Sequence, residues 1–513
     1  MLILFAPILL LGTALALGVA RVLRPRFRFM WLASFGVATV GWIGVLLWQL
    51  QLPTSLVLPG WGSTVPIGGT PVLAANTLSW VLSFGLVSLL TASLLIAPAQ
   101  PDFRNSLSWP VSLGFAGLAL LAVTADNLLT IVPAWAALDL ADVSLSVRWA
   151  NGRDSSKGAV AAFSVRMASL ALVLLALALS GAGESASSNN VLLIAAVGLR
   201  LVVLPAQLDS TSAAHREHGI GIVLPLASTA ATLGLLSHVQ LTGPDTPFRV
   251  LLLLLSAGMA LYAGWMWLGT SDDINGEPFL LLGLSSLAMG AALQGNPVGA
   301  TGWGLALVLA GGSLFLSGAR QTRLNHAVLI GAWSLSALPF SISAAAWRLQ
   351  AGPAVWALPA FVLAQALLLA AFLRQATRAS TQALLDSQPA WLRGMFYAGL
   401  GLMVLMQLVL GFWGWDGARQ AQSWPAGMAA TALGLAMFWA RSRLRLAGPR
   451  LSERIQRVST VSGSAVAAIL RPAYQALQEL MQGVTNLLEG DAGIMWGLLL
   501  VALFVSLIVG GNP

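Results

Sequence analysis

The chain contains no cysteine, which excludes thiolate-held iron–sulfur clusters and cysteine zinc sites. Charged residues are also scarce. They make up only 9% of the 513 residues, against about 25% in a soluble domain. The histidines are too widely spaced to indicate a paired haem site, and they are His215, His218, His238 and His326. We therefore expect no cofactor, no bound metal, and no catalysis by this chain on its own.

What the sequence has in abundance is hydrophobic residues, at 57% with a mean hydropathy of +0.82. Apolar stretches of about 18 to 25 residues recur, the length that a helix needs to cross about 30 Å of hydrocarbon. Backbone groups in lipid must hydrogen-bond within their own segment, so each stretch is expected to be helical. The sequence predicts an all-α, polytopic membrane protein with about 14–16 transmembrane helices.

The basic residues alternate between loops. The first loop, Arg21–Arg28, and every second loop after it carry arginine or lysine, except the acidic loop 270–277. Loops such as 52–75 and 241–247 carry none, while loop 414–423 breaks the pattern with one arginine. Because basic loops stay in the cytoplasm, both termini are predicted to lie outside it, on what we call the outer side. The net charge of +8 is thus explained by topology, and we expect no nucleic-acid partner.

The last part of the sequence is more polar. Over 441–490, apolar residues recur at spacings of three and four between Ile455 and Leu488, which predicts an amphipathic helix interrupted at Pro472. This helix is expected to lie along neighbouring helices or, alternatively, on lipid headgroups. The apolar segment 491–513 then predicts a final membrane anchor.

Four stretches together resemble one family. They are Ala125–Trp135, Gly198–Gln207, residues 260–318 and Ser336–Pro339. In order and spacing they are similar to the antiporter-like membrane subunits of respiratory complex I and its relatives. Those relatives are the membrane hydrogenases, the multisubunit Na⁺/H⁺ antiporters and the inorganic-carbon transport complexes. The resemblance covers about residues 70–380.

The resemblance implies an architecture as well. It implies two inverted five-helix repeats, about 110–270 and 278–413, with discontinuous helices near Pro205 and Pro339. It also implies other membrane subunits as partners, in the inner or plasma membrane of a prokaryote. The expected division of the chain is N-terminal helices at 1–109, the antiporter-like core at 110–413, an additional helix at 414–440, the lateral helix at 441–490 and the anchor at 491–513.

The ionisable positions depart from the family pattern. The family's glutamate falls on Ala136, its first lysine on Arg200, and a later basic residue near Arg348, which lies near the end of its span and alternatively reaches the membrane interface. Three further lysine or histidine positions fall near Leu226, Ala230 and Ala310. Arginine does not replace a titrating lysine, because its pKa stays above about 12. The charge axis is therefore degenerate.

Five charged residues remain as candidates for an ion path. They are Asp139, Asp142, Arg166, Arg200 and Arg348. Asp139 and Asp142 follow the lost glutamate position by one and nearly two helical turns, so either is able to replace it. Arg166 is expected to pair with one of them, and Arg200 to be buried, paired and structural. The alternative is that both aspartates are solvated near the cytoplasmic end of their helix.

Three functional hypotheses follow. The leading one is an antiporter-like subunit of a multisubunit, complex I-like assembly, associated with proton or sodium translocation but weakened or inactive as a channel and partly structural. In that case the chain is one part of an NADH:quinone oxidoreductase-like or hydrogenase-like translocase. The alternatives are a self-sufficient secondary transporter, which requires an unbroken buried chain of ionisable groups, and a purely structural membrane scaffold.

Overall fold

The computed structural model describes most of the chain as a helical bundle. Among the described residues, ten helices are long and apolar enough to cross a membrane, and three shorter apolar helices accompany them. The prediction of a helical, multi-pass membrane protein is confirmed, whereas the full count of 14–16 spans stays a prediction. The described residues are 2–24, 29–60, 70–99, 108–149, 153–181, 186–201, 203, 220–239, 241, 246–270, 273–317, 325–347, 355–378, 388–419 and 424–446.

The first eight helices include one that is almost fully buried. They are α1 (Leu2–Leu23), α2 (Met30–Trp48), α3 (Thr77–Ile96), α4 (Ser108–Thr124), α5 (Leu128–Trp149), α6 (Arg153–Gly181), α7 (Ala186–Arg200) and α8 (Ile220–Gly234). Helix α3 begins at a capping box in which Asn76 and Ser79 bond each other's backbone N–H groups. In its apolar segment 94% of the residues are buried, against 28% in α1, so α3 lies in the core and α1 at the edge.

The second eight helices are less regular. They are α9 (Pro247–Gly269), α10 (Asp273–Leu293), α11 (Pro297–Ala306), α12 (Gly312–Leu316), α13 (Asn325–Leu335), α14 (Leu358–Ala376), α15 (Ala390–Val409) and α16 (Trp424–Leu446). A π-helical turn, Leu307–Gly311, joins α11 to α12 in one span. Helices α9 and α11 each begin with a proline in the first turn after a capping Thr246 or Asn296, because proline lacks the N–H that this turn leaves unpaired.

Helix α13 is short because its span is interrupted. It ends at Leu335, and the residues up to 346 form turns that contain Pro339. Ala337 and Phe340 have φ angles of 54° and 61°, a strained region for residues with a side chain. Within the first repeat, α7 ends at Arg200, and Pro205 lies outside the described residues.

A small β-hairpin accompanies the helices. Strands β1 (Thr54–Val57) and β2 (Val72–Ala75) pair antiparallel, with Thr54 opposite Ala75. The backbone N–H of Asp126 donates to the carbonyl of Val72 at 3.0 Å. The hairpin therefore lies against the connection between α4 and α5. Four-residue strands carry too little alternation to be recognised in the sequence.

The predicted C-terminal elements lie almost wholly beyond the described part of the chain. Residues 441–446 continue α16, and the remainder of the lateral helix predicted at 441–490 is outside the described residues. The anchor predicted at 491–513 is outside them as well. Both elements, like the two inverted repeats, remain predictions.

Candidate functional site

The end of α7 carries a buried arginine that is bound to an aspartate of α5. Arg200 donates from Nη1 and Nη2 to the two carboxylate oxygens of Asp139, at 2.7 Å each. The two side chains are only 2% and 0% exposed. Two parallel charge-assisted hydrogen bonds fix the guanidinium and the carboxylate in one plane. The candidates Arg200 and Asp139 are therefore brought together by the fold.

The Nε and one face of the Arg200 guanidinium contact two further side chains, Thr232 and Trp135. Its Nε donates to Thr232 Oγ1 of α8 at 3.0 Å, and its Cζ lies 4.6 Å from the ring centroid of Trp135. The Thr232 hydroxyl donates onward to the carbonyl of Ser228 at 2.9 Å, which leaves its oxygen oriented toward Arg200. A planar fork, an Nε–H and a stacked face are properties of arginine that lysine lacks.

A second ion pair adjoins the first one. Arg166 of α6 donates to Asp142 of α5, and its Nη1 lies 3.7 Å from Asp139 Oδ1. These side chains are 24% and 26% exposed, unlike the enclosed pair beside them. Arg166, Arg200, Asp139 and Asp142 thus form one cluster, which we call the charged cluster. Its formal charges cancel, and side-chain exposure decreases from the Arg166 pair to the Arg200 pair.

The other expected relay positions are apolar. Leu226, Ala230 and Ala310 are fully buried. Leu226 packs beside the π-helical turn, where its Cδ2 and that of Leu280 lie 3.4 Å and 3.1 Å from the place of a Cβ at Gly311. Arg348 lies outside the described residues.

The interrupted span after α13 is held by uncharged groups instead. Gln407 of α15 accepts a hydrogen bond from Ser334 Oγ at 2.8 Å and donates to the carbonyl of Leu309 in the π-helical turn at 3.1 Å. Ser343 closes the turn from the other side, because it donates to Ser334 and accepts from the Ala337 N–H at 3.0 Å. The strained Ala337 is thus fixed by a side-chain hydroxyl.

A second glutamine completes this uncharged region. Gln365 of α14 accepts from Trp347 Nε1 at 2.8 Å and donates to the carbonyl of Leu335, the last residue of α13, at 3.0 Å. Asn296 caps α11 and donates to the carbonyl of Ala345 at 2.7 Å. We call the groups around Ser334, Gln365 and Gln407 the neutral network. Sequence reasoning missed it, because lone glutamines and serines carry no spacing signal.

Two further polar residues were also not recognised from sequence. Glu277 was assigned to a cytoplasmic loop, and it is fully buried on α10 instead, because this helix already begins at Asp273. Arg249 is buried near the start of α9 and donates to the carbonyl of Leu293 at the end of α10. Cations at helix C-termini are favoured by the helix dipole, which accounts for an arginine beside the end of α10.

A titratable pair lies beyond the membrane-spanning segments, where Asp126 follows α4. His238 Nδ1 is 3.4 Å from Asp126 Oδ1, and 42% of the Asp126 side chain is exposed. The hydrogen bond from His238, and then its charge, lower the pKa of Asp126 below the usual 3.8, although burial opposes them. Within the described residues, no group of three or more His, Asp or Glu side chains is placed to hold a metal ion.

These features define a class: a multi-pass helical bundle with an interrupted helix and an ion-paired arginine buried at membrane depth. Solved structures with this fold are known. The Mrp complex of Dietzia sp. DQ12-45-1b contains a chain with a TM-score of 0.69 and 17% identity, over 99% of this chain and 63% of that one. This chain therefore spans less than two thirds of that relative. The fold matches that of membrane subunits in such complexes, as the sequence motifs implied.

Two further structures agree. The archaeal membrane-bound sulfane sulfur reductase has a chain with a TM-score of 0.61 and 14% identity, over 79% of this chain and 75% of that one. Respiratory complex I of Thermus thermophilus gives a TM-score of 0.57 and 16% identity, over 80% and 98% of the two chains. No family model matches the sequence, and no curated protein is significantly similar to it. The similarity therefore concerns the fold.

Proposed function

We propose that this chain is an antiporter-like membrane subunit of a complex I-like or Mrp-type assembly in a prokaryotic inner or plasma membrane. Within that assembly, its charged cluster acts as a structural strut and does not relay ions. The chain itself catalyses no reaction. The similarity in fold to subunits of three membrane complexes and the motifs between Ala125 and Pro339 support the first part of the proposal.

The second part depends on one observation, the enclosure of the Arg200 guanidinium. Its two Nη groups are bound to Asp139, its Nε to Thr232, and its face to Trp135. A proton relay requires a group that releases and rebinds a proton within reach of the next group. Arginine does not release its proton in proteins, so Arg200 cannot perform that step. A fixed, fully bound cation instead joins the three helices α5, α7 and α8.

The positions that would continue a relay support the same conclusion. Leu226, Ala230 and Ala310 are buried and carry no titratable group. A self-sufficient transporter needs a continuous buried set of ionisable side chains. Any ion movement by the assembly is therefore expected to run through other subunits.

The first experiment tests membership in an assembly. The tagged chain is expressed from its native host, purified in mild detergent, and its co-purifying subunits are identified by mass spectrometry. We expect several membrane subunits in stoichiometric amounts. Recovery of this chain alone, with ion transport activity after reconstitution, would support the self-sufficient transporter instead.

The second experiment tests the strut. Arg200→Met and Arg200→Lys are both expected to lower the yield of assembled complex, because lysine supplies neither the bidentate fork nor the stacked face. Arg166→Met serves as the matched variant at the quarter-exposed pair, with a smaller loss of assembled complex. An Arg200→Lys complex that assembles normally and translocates more ions per turnover would show that this position is a relay.

A further inference from the structure

The β-hairpin is hydrogen-bonded to the first residues after α4. The backbone N–H of Asp126 donates to the carbonyl of Val72 at 3.0 Å, and the Val72 N–H donates to Thr130 Oγ1 at 2.9 Å. The Asn127 side chain donates to the carbonyl of Thr70 at 2.8 Å. The position of the hairpin therefore depends on the connection between α4 and α5, to which Asp126 belongs.

The same connection meets the end of α8. A Cβ at Gly234, the last residue of α8, would lie 3.3 Å from the Cα of Val123, so the backbones of α8 and α4 are in close contact there. Four residues further on, His238 Nδ1 lies 3.4 Å from Asp126 Oδ1. The His238–Asp126 pair thus extends the contact between the two helices to the connection that holds the hairpin.

The His238 ring is engaged at one nitrogen. Its Nδ1 faces Asp126, whereas its Nε2 is buried and has no hydrogen-bond partner among the described residues. When both ring nitrogens of a histidine are bonded, the second bond fixes which nitrogen carries the proton. No described group fixes it in this way at His238. Histidine is also the side chain that normally changes its charge between about pH 5 and 8.

Few charged groups adjoin the pair. The turn Leu235–Ser237, which precedes His238, packs against α7, α8, α10 and α11. The described sequences of α8 and α11 carry no ionisable side chain, and neither do α3 and α4 beside the hairpin. Arg200 of α7 is already bound to Asp139.

The charged groups of the other neighbouring helices are placed differently. Asp273 and Glu277 lie in the first turns of α10, whereas the residue Gly295, just after its other end, approaches the carbonyl of Leu241. Arg249 of α9 donates to the carbonyl of Leu293 at the end of α10. Among the described residues, Asp126 is therefore the one carboxylate that lies beside His238.

We propose that His238 and Asp126 form a pH-sensitive latch, which joins the hairpin-bearing connection to the end of α8 more tightly when His238 is protonated. We call this pair the His238 latch. The hydrogen bond from His238, and then its charge, lower the pKa of Asp126 below 3.8 although burial opposes them, so Asp126 stays ionised above about pH 4. The charge–charge attraction is thus present only while His238 carries its proton. A decrease from about pH 8 to about pH 5 strengthens the latch, and an increase loosens it.

The test is hydrogen–deuterium exchange of the full-length protein in nanodiscs at about pH 5.5 and about pH 8, with labelling times scaled for the intrinsic exchange rate. We expect peptides that contain Val72 and Asp126 to exchange about two- to fivefold more slowly at the lower pH, the range that a partly exposed ion pair supplies. In His238→Gln and in Asp126→Asn the difference should disappear, because neither variant forms a titrating ion pair. The Phe340 amide, which donates to the Ala418 carbonyl at 2.9 Å, is the internal reference and should show no difference.

A matched variant separates the latch from a merely structural contact. Asn127→Ala removes the bond to Thr70 and leaves the His238–Asp126 pair in place, so it should speed exchange at both pH values and retain the pH difference. Equal protection of the hairpin at the two pH values in the unmodified protein would overturn the proposal. A pH difference that persists in either His238→Gln or Asp126→Asn would overturn it as well, because another group would then be responsible.

Discussion

The charged cluster and the neutral network accommodate buried polar groups by different means. In the cluster, Arg200 and Asp139 satisfy each other as ions, and both are almost fully enclosed. In the network, Gln365 and Gln407 satisfy free carbonyls and hydroxyls around an interrupted helix without any charge. The first region therefore depends on keeping both partners, and the second on several weaker bonds.

This difference has an energetic consequence. Removing one partner of a buried ion pair leaves an uncompensated charge and costs about 3–5 kcal/mol. Leaving a neutral donor or acceptor unsatisfied costs about 1–3 kcal/mol. The Arg166 pair, whose side chains are about one quarter exposed, and the His238–Asp126 pair should contribute less again, because neither is fully enclosed. The ranking by burial and charge is itself testable.

The largest loss of stability is expected when the Arg200–Asp139 pair is broken. Arg200→Met and Asp139→Leu should each lower the free energy of unfolding by about 3–5 kcal/mol, whereas the double variant should lose far less than the sum, because no lone charge remains buried. Thermal unfolding of the complex in detergent measures this cycle. A double variant with a loss equal to the sum of the single losses would show that the two side chains are not energetically coupled.

An intermediate effect is expected in the neutral network. Gln407→Leu leaves the Ser334 hydroxyl and the Leu309 carbonyl without this partner, which should cost about 1–3 kcal/mol in the same unfolding measurement. Leu408→Met, at the next position of α15, is the control and should cost less than about 1.5 kcal/mol. A Gln407→Leu loss as large as that of Arg200→Met would remove the proposed distinction between the two regions.

A smaller loss of stability is expected at the Arg166–Asp142 pair, the more exposed part of the charged cluster. Asp142→Asn retains a hydrogen-bond acceptor for Arg166 and removes a quarter-exposed charge, so the isolated chain should lose about 1 kcal/mol or less. A loss as large as that of Arg200→Met would mean that this pair is as enclosed as its neighbour.

The smallest loss of stability is expected for the His238–Asp126 pair, and it depends on pH. Because the pKa of Asp126 is lowered in the folded protein, its contribution is present above the unfolded value of 3.8 and is lost as pH falls through the lower folded value. Asp126→Asn should therefore reduce stability slightly at neutral pH and flatten the decline of unfolding temperature below about pH 4. An unchanged acid profile in this variant would show that the pair contributes nothing.

Composition and periodicity were sufficient for the fold class. Long apolar stretches predicted a helical membrane protein, because the lipid environment leaves few alternatives. The motif order predicted a fold like that of complex I-like subunits, and the fold has this likeness. Sequence also suggested that Asp139 and Asp142 belong with Arg166 and Arg200, because all four are charged within apolar spans.

Contacts between distant segments could not be predicted from the sequence. Thr232 and Trp135 bind Arg200 only because α5, α7 and α8 converge, and the sequence did not indicate these contacts. The glutamine bonds of the neutral network join residues up to 98 positions apart. Glu277 was misplaced because helix ends are the least reliable feature of a sequence-based assignment.

The most direct test of the strut is the number of ions translocated per turnover by a complex that lacks the enclosed pair. The Arg200→Met/Asp139→Leu double variant is suited to it, because it removes both ions and should still assemble. Reconstituted into proteoliposomes, this complex is predicted to translocate the same number of ions per turnover as the unmodified complex. A complex that assembles normally and translocates fewer would contradict the account and identify the Arg200–Asp139 pair as part of an ion path.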